Sequence, residues 1–228
     1  MPASDVTAPT ATSVGVHLRA GSLSRAHEWS RAEAALLLGE DAASAEGLAG
    51  RRRTEYLTTR AWVREIVHDR WGLPWRGFEH TARGEKPRLR RARPADAGID
   101  VSIAHSGGAL VVAVARHGLV GVDIETVAPV FDQPALRRRL CTPDERRRAE
   151  SLGAHARRAW LTQLWTVKES YAKALGTGLA LDFASLESAD LLRRAHSRSV
   201  LLPPWRSASM KAAVSWVGDT DRLPQARV

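Results

Sequence analysis

The most regular pattern of apolar positions lies between residues 157 and 175, where it has the period of an α-helix. At 100° per residue, one apolar stripe contains Trp160, Leu164, Val167, Tyr171 and Ala174. Trp165, Glu169 and Lys173 project to roughly the opposite side. Gly176 follows, and glycine readily adopts the left-handed conformation that ends a helix. The pattern therefore predicts a helix that presents a carboxylate and, one turn later, an ammonium group.

A second pattern, with a period of two, covers residues 120–125 and predicts a β-strand. Asp123 and Glu125 share one face of this strand, about 6–7 Å apart along the backbone, while Val122 and Ile124 point the other way. Together with Glu169, these carboxylates could hold a hard cation, and the neighbouring Lys173 could hold a phosphate. The alternatives are a solvated acidic face and a surface Glu169–Lys173 pair that contributes about 0.3–0.5 kcal/mol.

The remaining patterns predict a mixed α and β chain. We expect a loose tail over residues 1–13, a strand at 14–18, a short helix around 36–38 and a long helix over about 44–71. Apolar runs at 99–106, 110–115 and 120–124, separated by glycines, favour an antiparallel meander. Farther along, a short helix is expected at 136–140, and weak strand signals lie at 199–202 and 212–217.

The residues around Glu145 predict a structural role for it at the start of a helix. Thr142, Pro143 and Glu145 stand at the N-cap, first and third positions of a predicted helix, which is the pattern of a capping box. We therefore expect its carboxylate to bond the backbone of its own helix.

The composition of the chain limits the classes of protein to which it can belong. The chain has 228 residues, 44% of them hydrophobic, which is enough for one large or two small cores. Its net charge of +9 suits an anionic partner such as a nucleic acid, a polyphosphate cofactor or an acidic protein. A single cysteine excludes an internal disulfide, and we find neither a signal peptide nor an apolar run of membrane-spanning length. We expect a cytoplasmic protein that is not bound to membranes.

Two groups of basic residues are candidates for phosphate binding. Arg53, Arg60 and Arg64 of the long helix project within about 40° of one another, as expected for 3.6 residues per turn. Guanidinium groups match phosphate oxygens well, although such a stripe can also be a solvated basic face. A second cluster between residues 83 and 93 could bind a nucleic acid or lie in a solvated loop.

Gly121–Glu125, followed by Trp165–Lys173, resembles the signature pair of the phosphopantetheinyl transferases. Gly84–Pro87 and Ser102–Gly107 resemble two further motifs of that family, although Glu85 interrupts the usual Gly-Lys-Pro pattern. The resemblance extends over residues 50–185. It implies an enzyme that transfers the 4′-phosphopantetheine arm of coenzyme A to a serine of an apo carrier protein.

The resemblance also assigns roles to residues of this chain. It implies that Mg²⁺ is bound by Asp123, Glu125 and Glu169, and that Lys173 binds the pyrophosphate. Glu169 is then the candidate general base. Coenzyme A would be held by the basic residues Arg51, Arg53, Arg60 and Lys86, by His105, and by the backbone at Ala104.

By its length, the chain resembles the larger, Sfp-type members of the family, and this implies the fold. We expect an α+β pseudo-dimer of two similar halves, each an antiparallel sheet packed with a long helix, with the active site between them. The N-terminal half would cover residues 14–118 and the C-terminal half residues 119–228, so that one chain acts as a monomer.

Two other functions stay open at this stage. The protein could be a basic nucleic-acid-binding protein, or a Mg²⁺-dependent nuclease or phosphatase. The sequence does not choose among carriers of fatty-acid, polyketide and nonribosomal-peptide synthesis.

Overall fold

The structure is a computed structural model that describes residues 16–74, 77–78, 85–90, 98–194, 198–199 and 210–218. The predicted tail over residues 1–13 and the basic residues Arg83, Arg91 and Arg93 lie outside these ranges, as do residues 200–202 of the weak strand signal. The chain is a mixed α/β protein in which two antiparallel sheets are described, as the sequence predicts.

The first sheet has the strand order β1-β3-β2. Its strands are β1 (Val16–Ser22), β2 (Ile99–Ser106) and β3 (Ala109–Arg116). β2 and β3 form a hairpin whose turn contains Gly107 and Gly108, both with positive φ. The second sheet has the order β4-β6-β5 and consists of β4 (Leu119–Thr126), β5 (Arg198–Ser199) and β6 (Met210–Val217).

The predicted three-stranded meander is therefore wrong in one respect. β2 and β3 pair as expected, but β4 pairs with β6, which follows about 90 residues later in the chain. Local patterning favours hairpins between neighbouring strands and gives no information about such a distant partner.

The helices of the first part of the chain are α1 (Arg31–Leu38), α2 (Glu40–Ser44) and α3 (Gly50–Trp71). The long helix thus begins six residues later than predicted. The extended backbone of Ala49 separates it from the turn that follows α2. α3 ends at Gly72, whose φ of 62° places it in the left-handed conformation.

The helices of the second part are α4 (Pro134–Leu140), α5 (Pro143–Glu150), α6 (Ala154–Leu175) and α7 (Ser188–Arg194). The capping box at Thr142 and Glu145 is present, and Gly176 ends α6 with φ 73°. Both features were predicted. None of the helices in the described part of the chain combines the length and apolar character needed to span a bilayer.

The elements stack in four layers. Side chains of α3 pack on one face of the first sheet, through contacts such as those of Val63 and Ile66 with Leu110 and Val112. The other face of that sheet packs on the second sheet, where Val111 and Ala113 meet Val120 and Val122. β3 is apolar on both faces because both are covered.

The second sheet is covered in turn by α6, which packs on β6 through Val167, Tyr171 and Ala174. Successive residues of a strand alternate between faces. Val120, Val122 and Ile124 belong to the core between the sheets, and Gly121 faces α6. Asp123 and Glu125 therefore project on the side of α6.

Candidate active site

Four of the predicted site residues come together where β4 passes α6. Asp123 is buried, and its Oδ1 accepts a hydrogen bond from Lys173 Nζ at 2.6 Å. The electrostatic interactions among Asp123, Glu125, Glu169 and Lys173 show that all four lie close together. The sequence could not decide between a surface Glu169–Lys173 pair and a buried cluster, and the partner of the Lys173 ammonium is Asp123.

Gly121 makes this proximity possible. A Cβ at residue 121 would lie closer than 3.0 Å to the Ser170 carbonyl oxygen and to the Ala174 amide nitrogen. The backbone of α6 therefore crosses β4 in direct contact, which only glycine permits. Asp123 lies two residues after Gly121 on β4, and Lys173 lies between Ser170 and Ala174 on α6, so this close crossing brings the two side chains together.

The site concentrates negative charge in a low-dielectric environment. Burial raises the pKa of Asp123, Glu125 and Glu169, and in each case a neighbouring cation or hydrogen bond opposes the shift only in part. Repulsion from Asp123 raises the pKa of Glu125 further, and repulsion from Asp123 and Glu125 does the same for Glu169. Such a cluster is stabilised by an added cation.

Two oxygen atoms of the cluster support this interpretation. Asp123 Oδ2 and Glu169 Oε2 are buried and have no hydrogen-bond partner among the described residues. A buried carboxylate oxygen without a donor is costly, and a hard cation satisfies it. The donor set is therefore chemically suited to Mg²⁺. Within the described residues, however, no three acidic, histidine or cysteine side chains are already arranged to hold a metal ion. In this arrangement, Lys173 binds Asp123 and Ser106 binds Glu125.

The Glu169→Gln variant tests this charge cluster. The folded-state pKa of Glu169 is raised, so the folded protein binds more protons than the unfolded one between the ordinary and the raised pKa. Unfolding free energy therefore falls as pH rises through that window. In EDTA, Glu169→Gln should be more stable than the wild type at pH 7–8, and this difference should shrink toward pH 4. Thermal unfolding at several pH values measures it, and a difference independent of pH would contradict a raised pKa.

The hairpin of the first sheet borders the same site. His105 is exposed at the end of β2, close enough to Glu125 to affect its pKa, and Ala104 beside it is buried. Ser106 Oγ donates to Glu125 Oε2 at 2.7 Å. Ser106 belongs to a motif used in the sequence analysis, but its contact with Glu125 was not predicted.

The predicted arginines do not form one group. Arg51 is exposed at the first turn of α3, pairs with Glu55, and lies near Gly108 of the hairpin turn. Arg53 donates to the carbonyl oxygen of Trp29 at 2.9 Å. Arg60 stacks on the rings of Tyr56 and Phe78, and burial lowers its pKa.

Lys86 has protein partners. Its ammonium donates to Asp100 Oδ2 and, at 3.0 Å, to the carbonyl oxygen of Ala174 near the end of α6. Burial is the main cause that lowers the pKa of Lys86 and raises that of Asp100. The same carboxylate oxygen accepts from the Val120 amide at 2.6 Å. In the structure, Lys86 therefore links α6 to Asp100 of β2, which in turn binds β4.

The sequence did not predict that Lys168 is buried. It is fully buried, and its ammonium donates to Glu145 and to the carbonyl oxygens of Leu140 and Phe183. Lys168 lies four residues after Leu164 and three before Tyr171, beside the apolar stripe of the helix. This spacing is the feature of the sequence that could have predicted its burial. Glu145 also accepts from the amides of Thr142 and Ser188, so both residues support the fold.

Residues 119–216 match the sequence model of the 4′-phosphopantetheinyl transferase superfamily. This segment of the chain is therefore similar to that superfamily. It contains β4, α6 and β6, and thus every carboxylate of the cluster.

Individual relatives of this superfamily agree with the match. The chain is 30% identical over 139 residues to the 4′-phosphopantetheinyl transferase HetI of Nostoc, across 61% of this chain and 52% of HetI. It is 30% identical over 123 residues to the 4′-phosphopantetheinyl transferase psf-1 of Bacillus pumilus, across 54% and 50%. A holo-[acyl-carrier-protein] synthase of Streptococcus thermophilus is 34% identical over 73 residues, across 31% and 61%. The matches span about half to three fifths of these relatives.

Proposed function

We propose that this protein transfers the 4′-phosphopantetheine arm of coenzyme A to a serine of an apo acyl or peptidyl carrier protein. The observation that carries the proposal is the cluster of Asp123, Glu125, Glu169 and Lys173, formed within the segment that matches the transferase superfamily. The reaction forms a bond from the serine oxygen to the β-phosphorus of coenzyme A. The bond from that phosphorus to the bridging oxygen breaks, and 3′,5′-ADP leaves.

Asp123, Glu125 and Glu169 would hold the metal ion, which we propose to be Mg²⁺. When bound, this ion neutralises charge on the pyrophosphate, a major contribution in phosphoryl transfer. Two observations support the assignment, namely the buried oxygens Asp123 Oδ2 and Glu169 Oε2 without donors and the mutual repulsion of the three carboxylates.

Lys173 and Glu169 have distinct proposed roles. Lys173 is only partly buried, so its ammonium can approach a pyrophosphate oxygen while it stays near Asp123. It would stabilise the charge that develops on the departing 3′,5′-ADP. Glu169 would accept the proton of the carrier serine. Burial raises its pKa above the ordinary value of a glutamate, which makes it a stronger base.

The hairpin and the first turn of α3 would bind the nucleotide part of coenzyme A. His105 and the Ala104 backbone lie beside the cluster, and Arg51 lies at the hairpin turn. The start of a 22-residue helix also carries a partial positive charge that favours a phosphate. Arg53, Arg60 and Lys86 would have to release their present partners to take part, so Arg51 is the strongest candidate for the 3′-phosphate.

The arrangement of the two sheets supports a pseudo-dimeric organisation. Each three-stranded sheet is covered by a 22-residue helix, α3 in one case and α6 in the other. We propose that residues 14–118 and 119–228 are the two halves, that the active site lies between them, and that the protein acts as a monomer. The cytoplasm, where coenzyme A and carriers meet, remains the predicted location.

The decisive experiment mixes the pure protein with coenzyme A, Mg²⁺ and a panel of apo carriers. We expect the mass of at least one carrier to increase by one phosphopantetheine group, with release of 3′,5′-ADP. A nuclease or phosphatase would leave the carrier mass unchanged, and a nucleic-acid-binding protein would instead bind DNA with a steep dependence on salt. Unmodified carriers across the whole panel would refute the proposed function.

Arg51 can be tested with dephospho-coenzyme A, which lacks only the 3′-phosphate. A charge-assisted contact typically contributes about 1.5–3 kcal/mol, so Arg51→Ala should raise KM for coenzyme A by about one to two decades. KM for the dephospho form should hardly change. Arg52, the next residue in the chain, is also exposed, and Arg52→Ala is the matched control.

Arg60 gives a different expectation. Arg60→Ala should lower stability and affect both substrates alike, because Arg60 packs on aromatic rings. If the wild type has the same KM for coenzyme A and for its dephospho form, no arginine binds the 3′-phosphate.

A further inference from the structure

β2 and β4 run side by side in the same direction, although they belong to different sheets. Side-chain oxygens of β2 accept hydrogen bonds from backbone amides of β4, always 20 residues farther along the chain. Asp100 Oδ2 accepts from Val120 at 2.6 Å and Ser102 Oγ from Val122 at 3.0 Å. Ser106 Oγ accepts from Thr126 at 3.3 Å.

Ser106 differs from Ser102 in one respect. Its hydroxyl group also lies 2.7 Å from Glu125 Oε2. A hydroxyl group has one proton and two lone pairs, so it can donate to the carboxylate while it accepts from the Thr126 amide. Ser102 makes the same kind of bond to β4, but its described contacts include no carboxylate. A comparison of the two serines therefore distinguishes the effect of the bond between the strands from the effect of the contact with Glu125.

We propose that Ser106 is a positioning residue that fixes the Glu125 carboxylate for metal binding. The proposal rests on the proposed function in taking Glu125 as a ligand. Glu125 is only half-buried, so its long side chain would otherwise sample several rotamers and lose entropy on binding. The Ser106 bond holds one oxygen, Oε2, and leaves Oε1 for the ion. Because the same hydroxyl is bonded to the Thr126 amide, the carboxylate is tied to the junction of the two sheets.

The experiment measures binding of Mn²⁺, a spectroscopic substitute for Mg²⁺, to the full-length protein by electron paramagnetic resonance, with and without coenzyme A. Loss of a hydrogen bond that orients a ligand typically costs 10–100-fold in metal affinity. Ser106→Ala should therefore raise the Kd for Mn²⁺ by about 10–100-fold. Ser102→Ala, which removes only the bond between strands, should lower the unfolding midpoint but change that Kd by less than about threefold. Ser106→Thr keeps the hydroxyl group and should restore tight binding.

Equal Mn²⁺ affinity of Ser106→Ala and Ser102→Ala would overturn the proposal, as would a wild type that binds no Mn²⁺ under either condition. Circular dichroism first establishes that each variant is folded. If Ser106→Ala is not, Ser106→Cys keeps a similar volume with a weak donor and should still bind Mn²⁺ more weakly than Ser106→Thr. Failure of the carrier-mass experiment alone would refute the transferase function and leave the metal-binding comparison to decide the role of Ser106.

Discussion

Replacing Asp123 with asparagine is expected to reduce carrier modification by about two to three decades, with the fold retained. Asp123 is buried and contacts Lys173, and one of its oxygens has no donor among the described residues. The amide keeps the shape of the side chain but removes the charge proposed to hold the metal ion. A loss of about 3–4 kcal/mol of transition-state stabilisation corresponds to that change in rate. Initial rates of carrier modification at saturating Mg²⁺, compared with circular dichroism spectra, provide the measurement.

Asp190→Asn is the matched control for this prediction. Asp190 is a partly exposed aspartate on α7 that pairs with Arg193, so its loss should leave the rate nearly unchanged. EDTA should inhibit the wild type to the level of Asp123→Asn, and excess Mg²⁺ should restore only the wild type. Full turnover of the wild type in EDTA would refute the shared metal site, even if Asp123→Asn were inactive.

Substituting Gly121 with alanine is expected to have the largest effect on stability. The added methyl group would overlap backbone atoms of Ser170 and Ala174, which cannot move without displacing α6 from β4. Overpacking of a core typically costs about 1–3 kcal/mol, and a clash with backbone belongs at or above the upper end of that range. We therefore expect a loss of about 3 kcal/mol or more in unfolding free energy, measured by urea denaturation.

Gly47→Ala provides the comparison for Gly121, because a Cβ at residue 47 would have no atom of the described residues within 4 Å, apart from its own chain neighbours. Its stability should change by less than about 1 kcal/mol. Any folded Gly121→Ala protein should also lose activity, because a shift of α6 separates Glu169 and Lys173 from Asp123. Wild-type stability of Gly121→Ala would show that α6 does not lie against β4 as closely as described.

The local patterns of the sequence predicted the elements that build the site. The period of 3.6 over residues 157–175 predicted α6, and the alternation over residues 120–125 predicted the face shared by Asp123 and Glu125. Capping at Thr142 and termination at Gly176 were also predicted correctly. These features depend on neighbours within about four residues, so the chain encodes them directly.

The partners of charged side chains could not be predicted in the same way. The sequence predicts a phosphate contact for Lys86, which stays a prediction, and only the structure shows that Lys86 contacts Asp100 and that Arg60 packs on Tyr56 and Phe78. A long cationic side chain finds an acceptor according to burial and distance, and neither is fixed until sheets and helices have packed. The candidate arginines Arg51, Arg53 and Arg60 of one helix therefore have three different environments.

The sequence by itself determined the secondary structure around the site, the acidic and basic residues available there, and the resemblance that points to their chemistry. Only the tertiary structure decided that β4 pairs with β6 in a second sheet and not with β3, and that α6 crosses β4 at Gly121. It also decided that Ser106 reaches Glu125 from the other sheet. The physical reason is that these contacts join residues far apart in the chain, so they form only when the sheets and helices bury their apolar faces against one another.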